Sequence, residues 1–217
     1  MYKTVVFDLD GTLLNTLTDL ADAGNRLCRK YGWPTHERQA YRYFVGNGIP
    51  KLVERLAPAD QRTPAVLEAA LADFKRDYGQ HLRDTTAPYP GIPEMLANLK
   101  ANGVQLAVFS NKADALAKEV VKDYFGTQYF TIVRGQMTGV APKPAAEGTN
   151  ALLQALHADP ASTLYVGDSN VDVATAHSAN LPCCGAVWGF RTREELNAAG
   201  AEYLAENSDE LYDVIMK

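Results

Sequence analysis

The chain has 217 residues, 47% hydrophobic and 22% charged, with a formal net charge of −5. A chain of this size forms one to two domains and buries roughly 70% of its unfolded surface, so neither disorder nor a small stapled scaffold is expected. The acidic balance argues against a nucleic-acid partner, which favours a basic face, but leaves room for a small anion in a local cationic pocket.

No apolar run approaches the roughly 18 residues of a membrane span, so no membrane partner is expected. Met1-Tyr2-Lys3 runs directly into an apolar strand, without the regions of a signal peptide. The three cysteines, Cys28, Cys183 and Cys184, are odd in number and two are adjacent. They suggest neither a disulfide framework nor zinc spacing, and a reducing, cytoplasmic setting is expected.

In chain order, Val5-Val6-Phe7 reads as a buried strand that stops at Asp8-Leu9-Asp10-Gly11-Thr12. Residues 16–82 read almost wholly helical. Leu17, Leu20, Ala21, Leu27 and Tyr31 make one stripe, closed by Gly32. Leu52, Val53 and Leu56 make a second, and a third runs from about Pro64 to His81. From 83 onward strands and helices alternate. Strands are expected at 104–109, 130–133, 163–166 and 182–187. Helices are expected from Pro93, over 114–124, from Pro144 and over 171–179, and the alternation weakens in the tail. The fold class is therefore α/β: a Rossmann-like parallel sheet, residues 1–15 and 83–217, interrupted by an all-helical insertion at 16–82.

Polar residues gather at the carboxyl ends of the predicted strands: Asp8 and Asp10, then Ser110 and Asn111, then Asp168. Ligands of open α/β sheets bind beyond those ends. Asp8 and Asp10, at i and i+2, point to one side of an extended chain, and Gly11 permits a sharp turn. Paired carboxylates suit a nucleophile or metal ligand beside an acid. Asp8 with Asp168 supplies anionic oxygens for a hard cation such as Mg2+. Ser110 and Lys143 fit a phosphate clamp. Asp172 either orients Asp168 or Lys143 from behind or is an exposed helical acid.

These residues resemble the haloacid dehalogenase superfamily, in particular its phosphatases with a helical cap. The motifs are Asp8-Leu9-Asp10-Gly11-Thr12, then Ser110 in Phe109-Ser110-Asn111-Lys112, then Lys143 in Pro142-Lys143-Pro144, then Gly167-Asp168-Ser169-Asn170-Val171-Asp172. The resemblance covers essentially the whole chain, and is nearest to phosphoglycolate phosphatases. Phe44-Val45-Gly46-Asn47-Gly48 is similar to their cap loop, and Trp188-Gly189-Phe190-Arg191 to their segment after the fifth strand. Asn15 departs from the aspartate common there. The resemblance implies Asp8 as nucleophile, Asp10 as acid and base, and Ser110, Asn111 and Lys143 as phosphate ligands. It implies Mg2+ held by Asp8, Asp168 and the Asp10 carbonyl, with Thr12 and Asp172 behind them and Gly46, Asn47 and Gly48 near substrate. The expected substrate is a small phosphorylated metabolite, with 2-phosphoglycolate first, acted on by a monomer or homodimer.

Three other enzyme readings share the core. A phosphomutase of the beta-phosphoglucomutase type must hold a second phosphate, yet Gly46-Asn47-Gly48-Ile49-Pro50 carries no cation before Lys51. A pyrophosphatase or nucleotidase stays open. A phospholigand-binding regulator without activity would be expected to lose a nucleophile or metal ligand, and none is missing. Arg42, Lys51 and Arg191 are left between solvent and substrate.

Overall fold

Val5, Val6 and Phe7 are wholly buried because β1 (Thr4–Phe7) runs through the middle of a parallel sheet covered on both faces. The computed structural model describes all residues 1–217. They fall into two units, 1–15 with 88–217, and 16–87.

After β1 comes β2 (Leu14–Asn15). The second unit follows, built from α1 (Leu17–Tyr31), α2 (Arg38–Phe44), α3 (Ile49–Leu56) and α4 (Pro64–Gln80). Its interior holds Leu20, Leu27, Cys28, Tyr41, Leu52, Val53, Phe74 and Tyr78. β3 (Ala87–Pro88) pairs with β2 as a separate two-stranded sheet. The return to the sheet unit falls at Pro88 rather than at 83. The reason is Asp19 of α1, 2% exposed, which draws the end of the insertion back to the helices. Its carboxylate accepts from the amides of Thr85 and Thr86, both at 2.9 Å, and from both hydroxyls.

The sheet unit continues through α5 (Ile92–Ala101), β4 (Gln105–Ala113), α6 (Asp114–Phe125), β5 (Phe130–Gln136), α7 (Ala146–Leu156), β6 (Thr163–Gly167), α8 (Asn170–Ser178), β7 (Cys183–Ala186), α9 (Arg193–Ala198), β8 (Tyr203–Ala205) and α10 (Ser208–Met216). The strand order is β5-β4-β1-β6-β7-β8. Phe7, the last residue of β1, pairs with Val108 on one side and Val166 on the other, so Asp8 emerges level with Phe109 of β4 and with Gly167 at the end of β6, while β4 itself runs further. The order reverses at β1, which places a crevice beyond this level of the sheet. On one face Val6, Ala107, Tyr165 and Cys183 pack with Leu152 and Leu156 of α7 and Val173 and Ala176 of α8. No helix is long and apolar enough to cross a membrane. All three cysteines are free and buried, Cys28 in the helical unit and Cys183 and Cys184 in β7.

Several elements differ from the sequence reading, among them β5, which runs on to Gln136 instead of ending at 133, and the short strands β2 and β3, which were not expected. β4 runs on to Ala113 instead of ending at 109, with a register irregularity against β5 between Phe109 and Ala113. α7 starts at Ala146, because the amide and carbonyl of Lys143 are both taken by the Asn111 side chain. The short α9 has a capping box: Thr192 accepts from the Glu195 amide, and Glu195 accepts from the Thr192 amide. Its Thr-x-x-Glu signature is present in the sequence.

Candidate active site

Asp8 directly follows β1, and its amide donates to the Val166 carbonyl at 2.8 Å. The side chain is 11% exposed, and Lys143 Nζ lies 2.8 Å from its Oδ1. The same ammonium lies 2.7 Å from Asp172 Oδ1, 3.1 Å from the Tyr165 hydroxyl and 3.3 Å from the Phe109 carbonyl. Four acceptors therefore face three ammonium protons. Asp8 Oδ1 is buried, and beyond this ion pair with Lys143 it has no hydrogen-bond donor.

Asp168 follows β6 and is 1% exposed. Its Oδ1 accepts from Thr12 Oγ1 at 2.9 Å and its Oδ2 from the Phe190 amide at 2.8 Å. The segment after β7 thus wraps this carboxylate. Trp188 Nε1 donates to the Thr12 carbonyl at 3.0 Å, closing the loop from the other side. Backbone and carboxylate meet so closely that side chains are excluded. A Cβ at Gly11, where φ is +93°, would lie 2.3 Å from Asp168 Oδ2, and one at Gly189 would lie 2.2 Å from Asp168 Cβ.

Asp172 is no exposed helical acid. It caps α8 jointly with Ser169, whose amide and hydroxyl donate to Oδ2 at 3.1 and 2.6 Å, and its other oxygen holds Lys143.

Burial pushes the Asp8 carboxyl up to about 7. The Lys143 ammonium opposes this, and repulsion from Asp172 and Asp10 adds to it. Burial and the charges of Asp172 and Asp8 raise Asp168 well above the carboxylate range. Burial opposes the Lys143 charge, yet Asp172 and Asp8 hold it well above the usual lysine range. Anionic oxygens thus outweigh the one ammonium among them. Oxygens of Asp8, Asp168 and Asp172 lie within 4.8 Å of one another, and such a crowded carboxylate set suits a hard divalent cation. Asp8 Oδ1, with no donor besides Lys143, fits one as well.

The other expected residues fall in different places. Asp10 turns its carboxylate to Lys112, whose Nζ is 3.0 Å from Oδ1, and lies outside the acidic cluster. Ser110 is 3% exposed, and its Oγ accepts from the Lys112 amide at 3.2 Å. Asn111 braces the Lys143 backbone from both sides. Gly46, Asn47 and Gly48 belong to the helical unit, between α2 and α3. There Arg55 of α3 donates to Asn47 Oδ1 at 2.9 Å and to the Phe44 carbonyl at 2.8 Å.

Sequence reasoning passed over Lys112, Tyr165 and the grip of Phe190 on Asp168. A lysine inside an otherwise buried strand end was a usable signal for Lys112. Nothing in the local pattern marks Tyr165 or a backbone amide.

A parallel sheet whose order reverses at buried aspartates and a lysine is an α/β fold with its ligand site at the switch point. The chain belongs to the haloacid dehalogenase-like hydrolases, whose family profile matches residues 5–186. Within that family its relatives are phosphatases. A protein from Chromobacterium violaceum named phosphoglycolate phosphatase is 32% identical over 98% of this chain and 96% of its own length. Another of that name from Thiobacillus denitrificans is 31% identical over 87% of this chain and 84% of its own. A solved structure from Lactobacillus delbrueckii subsp. bulgaricus, provisionally named phosphoglycolate phosphatase, matches with a TM-score of 0.93 at 28% identity, covering 99% of this chain and 98% of that one. The chain is accordingly an enzyme of the phosphoric monoester hydrolase class.

Proposed function

We propose that the chain hydrolyses 2-phosphoglycolate, or a phosphate monoester of similar size, through a covalent phosphoryl-Asp8 intermediate and with Mg2+. The observation that carries this reading is the buried contact of Lys143 Nζ with Asp8 Oδ1 at 2.8 Å, backed by Asp172. An ammonium at that place neutralises a phosphoryl group arriving at Asp8.

Asp8 is assigned as nucleophile and Asp10 as the group that protonates the departing alcohol and then takes a proton from water. Asp8, Asp168 and the Asp10 carbonyl are assigned to hold Mg2+, which supplies charge compensation for the phosphoryl oxygens when bound. Thr12 and the Phe190 amide fix the orientation of Asp168. Ser110 is assigned to the phosphate oxygens. Asn111 is assigned a bracing role toward Lys143, since its amide group is already occupied by that backbone. Selection among esters is assigned to Gly46, Asn47 and Gly48. Hydrolysis of phosphate monoesters requires acceleration up to ~10²¹-fold, so no single one of these groups suffices.

The test is phosphate release from 2-phosphoglycolate with Mg2+, compared with Asp8→Asn and with excess chelator. Release that stops in both controls is expected. A variant as active as the wild type would overturn the assignment of Asp8.

A further inference from the structure

Two buried lysines, not one, serve the two aspartates of the first motif. We propose that Lys112 is a positioning residue that holds the Asp10 carboxylate in the orientation needed for proton transfer; this rests on the phosphatase reading above.

Lys112 Nζ lies 3.0 Å from Asp10 Oδ1 and 3.4 Å from Oδ2, so the ammonium touches both oxygens and sets the plane of the carboxylate. The lysine side chain is 2% exposed and the aspartate 20%. A buried ammonium does not swing into water, so the anchor stays put. Its backbone is fixed as well. The Lys112 amide donates to Ser110 Oγ at 3.2 Å, and two residues on Asp114 Oδ1 accepts from the Gly135 amide at 3.0 Å. The register irregularity of β4 against β5 spans this same stretch, and such irregularities re-aim side chains beside active sites.

The step at stake is the first one. A bond forms between an Asp8 oxygen and phosphorus as the phosphorus–ester oxygen bond breaks. The ester oxygen takes the proton of Asp10 and leaves as the alcohol. Water then attacks phosphorus, gives its proton to Asp10, and inorganic phosphate departs with Asp8 restored. A misaligned Asp10 impairs the first step most where the leaving group needs its proton most.

The experiment measures kcat/KM with Mg2+ for aryl phosphates of graded phenol acidity, from p-nitrophenyl phosphate to phenyl phosphate. This ratio reports phosphorylation of Asp8 with loss of the phenol, not the later water step. Wild type, Lys112→Met and Lys112→Arg are compared, with Asp8→Asn as control. The expected result is a steeper dependence on the leaving group in Lys112→Met. Phenyl phosphate should lose at least about tenfold more than p-nitrophenyl phosphate, given ~10²–10⁴-fold from a positioned acid. Lys112→Arg should restore most of the wild-type slope. A uniform loss on all esters, a change in KM alone, or an unchanged slope would overturn the proposal. Should Lys112→Met fail to fold, Lys112→Gln is read by the same criteria. Activity persisting in Asp8→Asn would remove the proposed function itself, whereas an inactive Asp8→Asn with an unaltered Lys112→Met slope removes only the role of Lys112.

Discussion

Asp172 and Lys143 form a buried ion pair at 2.7 Å in which neither side chain is more than 2% exposed. The aspartate is gripped from the opposite side by the amide and hydroxyl of Ser169. The lysine is therefore held against Asp8 by a helix cap.

That coupling makes Asp172→Ala harmful twice. Removing one partner of a buried pair costs about 3–5 kcal/mol, and losing the capping box adds about 1 kcal/mol. Asp172→Asn keeps the shape and a carbonyl for the cap, so it should lose less stability. Both variants should lose activity because Lys143 is no longer backed. Urea unfolding curves beside phosphate release check this, and equal stability of the two variants would contradict it.

A pH effect follows from the Asp8 carboxyl, pushed from 3.8 to about 7 by burial. Between these values the folded protein holds more protons than the unfolded chain, so this contribution to stability falls as pH rises and levels off above about 7. In excess chelator, the melting temperature of the wild type should decline over that window relative to Asp8→Asn, and added Mg2+ should recover most of the loss near the upper end. Parallel curves for the two proteins would refute this.

Gly189→Ala tests the crowding around Asp168. Its new methyl would meet Asp168 Cβ at 2.2 Å and the Gly11 carbonyl at 2.5 Å, and the latter is backbone that has little room to shift. Overpacking of this kind costs about 1–3 kcal/mol. The displaced carboxylate should weaken Mg2+ binding, readable by calorimetric titration. Affinity equal to the wild type would show that the loop simply yields.

Asp19→Asn probes the other unit. The carboxylate serves the amides and hydroxyls of Thr85 and Thr86, whereas an asparagine offers one acceptor oxygen. A loss of about 1–3 kcal/mol is expected, with faster hydrogen exchange at the Thr85 and Thr86 amides. Unchanged exchange at both would mean that other contacts hold this segment.

Much of this was legible beforehand because the chemistry sits where apolar runs stop. Val5-Val6-Phe7 ends at Asp8, and Leu164-Tyr165-Val166 leads to Asp168. Strand ends are visible as changes of composition, and parallel pairing then makes them neighbours. What escaped depends on partners chosen in space. Asp172 reads in the sequence either as a group behind Asp168 or Lys143 or as an exposed helical acid, and only the placement of Ser169 and Lys143 on either side of it decides between the two. Lys112 stood in plain view, but its pairing with Asp10 spans 102 positions of chain. The Pro88 boundary was missed because the four hydrogen bonds at Asp19 leave no trace in local periodicity.

The buried thiols offer a use beyond chemistry at the active site. Burial raises Cys28 to about 11 and Cys184 to about 12, so almost no thiolate exists near neutrality and alkylating reagents must wait for opening. One thiol lies in the helical insertion and two lie in a strand of the sheet. Labelling rates followed by mass spectrometry would time the unfolding of each part separately, in the natural protein and without an added probe.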